Sequence, residues 1–114
     1  MQVILNTDHN LTATDELSAR VEAEVTAAID RFSERVTRVE AHLNDENSGK
    51  AGPADKRCML EARVRGHSPV AVTANAEDYD LALAGAADKL ARALDSLLGR
   101  LDDKRAEPAP VPSE

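Results

Sequence analysis

The spacing of the apolar residues changes twice along this chain, and this change constrains the fold more than any other feature of the sequence. Between residues 15 and 32 the apolar residues recur every three or four positions, which is typical of a helix that buries one face. From residue 39 to residue 74 they alternate with polar residues in three stretches, which is typical of half-buried strands. A loop at residues 44–55, rich in acids, Gly and Asn, and a turn at residues 66–69 are expected to separate these strands. Helical spacing returns near Asp78 and continues through a leucine seam to about Leu101.

Four strands and two helices follow from these patterns. An apolar, β-branched segment opens the chain at residues 2–6, and Thr14 followed by two acids is typical of a helix start. The first two strands are joined by a helix and are expected to be parallel neighbours, and the second, third and fourth strands are expected to form an antiparallel meander. We predict a two-layer α+β sandwich of order β-α-β-β-β-α, in which a four-stranded mixed sheet carries both helices on one face. Its core is expected to include Leu17, Val21, Phe32, Leu90 and Leu94.

A chain of 114 residues is long enough for one domain with a modest core. We predict that residues 1–105 form this domain, and that residues 106–114, which have three prolines and no apolar period, form a disordered or extended tail. Aromatic residues make up only 2% of the chain, so it offers few platforms for base stacking. The formal net charge of −7 argues against a general DNA- or RNA-binding protein but leaves room for a local basic surface.

The sequence contains no recognisable catalytic or cofactor-binding motif. Its histidines lie far apart, and a calcium loop that began at Asp45 would have Lys56 where the bidentate glutamate is needed. We therefore expect no enzyme activity, no metal and no cofactor. The single cysteine, Cys58, lies at an inward strand position, where a buried thiol is expected. Without a signal peptide or an apolar run of about 20 residues, these features favour the reducing cytoplasm and no membrane.

The last helix has a segregated charge pattern. Lys89, Arg92 and Arg100 lie on one flank of the leucine seam, and most of the aspartates lie on the other. The basic flank is consistent with contacts to nucleic-acid phosphates. It is equally typical of a solvated amphipathic helix with ion pairs between residues four apart. The sequence leaves both interpretations open.

Two further groups of arginines are candidates for phosphate contacts. Arg31, Arg35 and Arg38 lie at the exit of the first helix, whereas Arg20 is expected to pair with Glu24. The polar face of the third strand carries Arg57, Arg63 and Arg65. A solvated sheet face would explain these arginines as well as a binding face would.

Four segments of the chain resemble the ribosome hibernation-promoting factor family, also called ribosome-associated inhibitor A or ribosomal subunit interface proteins. The segments are Thr14-Asp15-Glu16-Leu17, Thr37-Arg38-Val39-Glu40-Ala41-His42-Leu43, Glu77-Asp78-Tyr79 and Asp88-Lys89-Leu90-Ala91-Arg92-Ala93-Leu94. The resemblance covers residues 1 to about 105 and is to the short form, which lacks the C-terminal dimerisation domain.

The resemblance implies a β-α-β-β-β-α fold and a function without catalysis. It implies binding of a monomer to the small ribosomal subunit, in the channel for mRNA and tRNA anticodons, and so inhibition of translation during dormancy or stress. The residues expected to contact rRNA are Lys89, Arg92, Arg100, Arg31, Arg35, Arg38, Arg63 and Arg65. The alternative is a protein-interaction module of the same fold that uses its acidic faces on a basic partner. A continuous positive groove between the helices would favour the ribosome, and interspersed charge would favour the module.

Overall fold

The computed structural model describes residues 1–8, 11–45 and 55–106, with side chains up to residue 100. Two helices and four strands follow one another in the predicted order. The elements are β1 (Gln2–Thr7), α1 (Asp15–Ile29) with a 3₁₀ turn (Asp30–Phe32), β2 (Val36–Asp45), β3 (Lys56–Val64), β4 (Val70–Ala76) and α2 (Tyr79–Ala106).

The four strands form one mixed sheet in the order β1-β2-β3-β4. β1 runs parallel to β2, with Val3 opposite Val39, and the remaining pairs are antiparallel. Because paired residues share a face of the sheet, one face is apolar across all four strands. The row formed by Leu5, Ala41, Leu60 and Val72 is an example. The predicted α+β sandwich is confirmed.

Both helices cover the apolar face of the sheet. Val21, Val25 and Ile29 of α1 and Leu90 and Leu94 of α2 are fully buried. They share one core with the inward residues of β2 and β3, while Leu17 is partly buried against it. The close approach of α2 to β4 is visible at Gly85, where a Cβ atom would lie 3.2 Å from that of Ala74. In the part of the chain that the structure describes, the opposite face of the sheet carries no helix and presents the polar residues of each strand.

The helix boundaries follow from local hydrogen bonds. The Thr14 Oγ1 atom accepts a bond of 3.0 Å from the Leu17 N–H, and Asp78 Oδ1 accepts one of 2.8 Å from Leu81, so both helix starts are capped. α1 ends at Ile29, and Phe32 reaches the core from the 3₁₀ turn that follows. β2 begins at Val36, earlier than the alternation indicates, because a register shift at residues 36–38 interrupts the period.

Three sequence predictions concern residues that lie largely outside the described part of the chain. Most of the predicted loop 44–55 and all but the first residue of the predicted tail 106–114 are outside it, so the metal-free loop, the disordered tail and the domain boundary stay predictions. α2 continues through Ala106. In the described residues, no helix combines the length and the apolarity that a membrane span requires.

Candidate nucleic-acid interface

The topology gathers several arginines at one end of the molecule and many acidic side chains at the other. One end of the molecule contains the ends of α1 and β3, the start of β2 and the second half of α2. Both helices begin at the other end. We call the first the arginine end; it carries Arg31, Arg35, Arg38, Arg63, Arg65 and Arg100. The second is the acidic end; it carries Asp8, Asp15, Glu16, Asp45, Asp55, Glu77, Asp78 and Asp80. The separation is partial, because Asp30, Glu34 and Asp95 also lie at the arginine end, and Arg20, Lys56 and Arg57 at the acidic end.

Backbone pairing brings four of these arginines together where β2 begins. The Arg65 N–H donates a 2.8 Å hydrogen bond to the Arg35 carbonyl, and Arg38 lies opposite Arg63 across the β2–β3 pair. The side chains of Arg63 and Arg65 are exposed and have no ion-pair partner among the described residues. Exposed, unpaired guanidinium groups can bind phosphate without first losing an internal contact.

The open face of the sheet partly neutralises its own positive charge. The Arg38 Nη2 atom lies 2.9 Å from Glu40 Oε2, and His42 Nε2 lies 3.6 Å from the other carboxylate oxygen. Arg38 also has a buried Nε atom without a hydrogen-bond partner in the described structure. Arg38 is therefore engaged with Glu40 but keeps one donor that is not satisfied.

The α2 flank singled out in the sequence is engaged in internal contacts. Lys89 Nζ donates a 2.8 Å hydrogen bond to the Thr73 carbonyl of β4, and Arg92 Nη2 lies 2.8 Å from Asp88 Oδ2, four residues earlier. The Arg92–Asp88 pair is the arrangement expected of a solvated amphipathic helix. Both side chains are exposed at their ends, so these contacts are weak and do not exclude a second partner.

Ion pairs between the helices give the groove between them a mixed charge. Arg20 Nε lies 2.8 Å from Asp80 Oδ1 of α2, and not beside Glu24 as the sequence spacing indicates. Arg31 Nη2 lies 3.8 Å from Asp95 Oδ1 further along the same two helices. The groove is therefore not a continuous positive surface. No spacing within one helix could reveal these pairs, because each depends on how the two helices are aligned.

A polar cluster joins the strand ends at the acidic end. Lys56 Nζ lies 2.9 Å from Asp55 Oδ2 and 3.4 Å from Asp45 Oδ2, and the Asp45 N–H donates a 3.1 Å bond to Asp8. Asp55 is only 3% exposed, so its carboxylate depends on Lys56 for compensation. The hydrogen bond to Asp55 raises the pKa of Lys56, and burial followed by the Asp45 charge raises the pKa of Tyr79. Sequence patterns missed this cluster because its strands meet only in the fold.

Chemical reactivity is low at the positions that the structure describes. Cys58 is fully buried, and burial raises the pKa of its thiol to about 12, so the nucleophilic thiolate is absent at neutral pH. Within residues 1–8, 11–45 and 55–100, no three His, Cys, Asp or Glu side chains come together as a metal site would need. The guanidinium groups of the arginine end offer charge recognition.

Comparison with known proteins identifies the family. Residues 4–102 match the model of the sigma 54 modulation protein / S30EA ribosomal protein family. The chain belongs to this family. It is the hibernation-promoting factor family that the four sequence segments resemble, so that prediction is confirmed. A search of curated protein sequences finds no match.

Solved structures of S30EA-type proteins share the fold. The N-terminal domain of Protein Y from Thermus thermophilus aligns with a TM-score of 0.64 and 20% identity, over 84% of this chain and 94% of that one. A ribosomal subunit interface protein from Coxiella burnetii aligns with a TM-score of 0.68 and 13% identity, over 87% of this chain and 99% of that one. At these identities the likeness concerns the fold alone.

Proposed function

We propose that this member of the S30EA family binds the small ribosomal subunit as a monomer in the cytoplasm. There it occupies the channel for mRNA and tRNA and inhibits translation without catalysis. The observation that carries the proposal is the collection of six arginines at one end of an acidic protein. Membership of a family of ribosomal proteins supports the choice of partner.

Electrostatics gives the bound chain an orientation. Arginine contacts to RNA phosphates release condensed counterions, and this release supplies much of the affinity of such complexes. The acidic end is repelled by the same phosphates. The chain therefore approaches rRNA with the arginine end first and keeps the starts of both helices away from it.

The eight predicted rRNA contacts differ in how available they are. Arg63, Arg65 and Arg100 are exposed and have no ion-pair partner in the described residues, so we place them at the centre of the interface. Lys89, Arg92, Arg31 and Arg38 must share their charge with Thr73, Asp88, Asp95 and Glu40. Arg35 lies beside Arg65 and completes the same surface.

Charge reversal at two sites tests this ranking. One double variant carries Arg63→Glu and Arg65→Glu, and the matched double variant carries Lys89→Glu and Arg92→Glu. Their affinities for purified small subunits are compared by co-sedimentation at two salt concentrations. The first variant is expected to lose roughly 100-fold in affinity and about two units of the log–log salt slope, because two phosphate contacts are replaced by repulsion. The second variant is expected to lose less.

Three outcomes would count against parts of the proposal. Equal losses for both variants would move the interface to the α2 flank. Co-sedimentation that leaves initiator tRNA binding unaffected would exclude occlusion of the channel. Failure of the wild-type chain to co-sediment at low salt would exclude the ribosome as partner.

A protein-interaction module is the second candidate function. The mixed charge of the groove between the helices, bridged by Arg20–Asp80 and Arg31–Asp95, is the observation that favours it. The acidic end would then recognise a basic partner. Loss of ribosome binding together with capture of a basic peptide by the wild-type chain would support this function.

A further inference from the structure

A groove lies at the arginine end, where α1 ends against the second half of α2. Its volume is about 320 Å³, and it is lined by Arg31, Phe32, Arg35, Asp95, Leu98 and Gly99. It thus combines an apolar wall with two guanidinium groups and one carboxylate. We infer that this groove binds a single unpaired nucleotide of RNA and prefers guanosine.

The groove offers a stacking surface that the aromatic content of the chain does not predict. The Arg31 guanidinium lies over the ring of Phe32, 4.7 Å from its centroid. This contact favours a position of the guanidinium above the ring, and Phe32 itself is only 9% exposed and anchored in the core. Bases stack on guanidinium planes as they do on aromatic rings. A base in the groove can therefore lie between Arg31 and the wall formed by Leu98 and Gly99.

Asp95 supplies the selectivity. Its side chain is 71% exposed and lies 3.8 Å from Arg31, beyond hydrogen-bonding distance, so its oxygens can accept bonds from a ligand. Guanine presents adjacent imino and amino donors on its Watson–Crick edge, and a carboxylate can accept both. Adenine and cytosine present only an amino group there, and uracil only an imino group. Arg35, on the same groove, is placed to bind the phosphate of that nucleotide.

Gly99 keeps the groove open but lowers the stability of helix α2. Glycine weakens a helix relative to alanine, and packing does not require it here, since a Cβ atom at Gly99 would meet no atom within 4 Å. The contrast with Gly85, whose Cβ would press on Ala74, shows that close packing explains one α2 glycine and not the other. A side chain at position 99 would instead project into the space that the base needs.

The experiment fills the groove without touching its charges. Gly99→Leu is compared with Ser96→Leu, which adds the same side chain to an exposed position of α2 outside the groove. Each protein is titrated with GMP, AMP and UMP and with a short single-stranded RNA that contains one guanosine, and amide NMR signals are followed. GMP and the RNA are expected to shift signals around Arg31 and Asp95. GMP is expected to bind several-fold more tightly than AMP, and UMP more weakly still.

The variants separate the groove from the rest of the surface. Gly99→Leu is expected to abolish the nucleotide shifts, whereas Ser96→Leu keeps them, with melting temperatures checked for both. Asp95→Asn is expected to remove the preference for GMP. Since the rRNA source of the nucleotide rests on the proposed function, affinity for small subunits is measured too, and Gly99→Leu is expected to lower it about tenfold, the scale of one stacked base.

The outcomes distinguish failure of the groove from failure of the ribosomal function. Absence of nucleotide shifts at the groove, or equal behaviour of the two leucine variants, overturns the inference even if subunits bind. Binding of GMP without binding of the RNA overturns the RNA source. Binding of GMP and RNA in a chain that does not bind subunits supports the groove and excludes the ribosome.

Discussion

Lys56 is the residue on which the acidic end depends most directly. Its ammonium group lies between the Asp45 and Asp55 carboxylates, and Asp55 has almost no access to solvent. Lys56 is the cation that compensates this buried carboxylate among the described residues, so removing it is more costly than losing a surface ion pair. The single residue thereby joins the end of β2 to the start of β3.

Substitution of Lys56 is expected to destabilise the fold. We expect Lys56→Met to lower the melting temperature by several degrees at pH 7, whereas Arg63→Met, on the exposed face of the same strand, leaves it almost unchanged. The pKa of Lys56 is raised in the folded chain, so its contribution is complete below pH 10.5 and is lost as the pH rises through the raised value. Thermal melts at pH 7 and above pH 11 measure both effects, and equal melting temperatures for the two variants at pH 7 would contradict the role of Lys56.

Cys58 is expected to be inert in the folded chain. Burial raises its pKa from 9.0 to about 12, so the thiol is protonated and inaccessible at pH 8. Ellman's reagent is expected to react with the native protein at least roughly 100-fold more slowly than with protein unfolded in guanidinium chloride. Since the unfolded thiol ionises first, stability is expected to fall between pH 9.0 and about 12. Rapid labelling of the native protein would show that β3 opens readily.

At the scale of elements, the two glycines of α2 allow helix propensity to be compared with packing. Gly85 lies against β4, where an added Cβ would be 3.2 Å from Ala74, whereas Gly99 faces open space. Both glycines weaken the helix to a similar degree. Only Gly85 has a packing reason.

Alanine at the two positions is therefore expected to have different effects. Gly99→Ala is expected to raise the free energy of unfolding by about 0.5–1 kcal/mol, because helix propensity improves and nothing must move. Gly85→Ala gains the same propensity but presses on Ala74, so it is expected to be less stabilising or destabilising. Denaturant unfolding of both variants measures the difference. A more stable Gly85→Ala variant would indicate that α2 can shift away from β4 freely.

At the scale of the whole molecule, charge is partly separated between the two ends of a chain whose net charge is −7. In the proposed complex, the acidic end would act on RNA over a distance, and the arginine end by contact. Long-range repulsion is screened within a Debye length of about 10 Å at 0.1 M salt, whereas contact pairs are screened less. The two ends should therefore respond differently to ionic strength.

Removal of remote negative charge is expected to strengthen binding at low salt only. Glu22→Lys combined with Glu77→Lys changes two exposed residues away from the arginine end. We expect a roughly two- to fivefold faster association with small subunits at low ionic strength, and no difference at high salt. Stopped-flow kinetics over a salt series measures this. A gain that persists at high salt would place these positions in direct contact with rRNA.

Much of the fold could be predicted from the sequence, because burial imposes a period on each element. Alternation fixes which residues of a strand face the core, and the three- to four-residue spacing does the same for a helix, so the order, the layers and the buried face of Cys58 follow without coordinates. The irregular segments could not be predicted in the same way. The register shift at the start of β2 and the 3₁₀ turn after Ile29 each break a period.

Only the tertiary structure decided which charges act together. The sequence singled out eight candidate contacts. It could not show that Arg20 pairs with Asp80, that Lys89 donates a hydrogen bond to Thr73, or that the Arg31 guanidinium lies over the Phe32 ring. Burial is a property of each element and leaves a local pattern, whereas an ion pair or a groove depends on the relative alignment of elements distant in sequence. The sequence by itself therefore determined the sandwich, and the packing of α1, α2 and the sheet determined the arginine end and its groove.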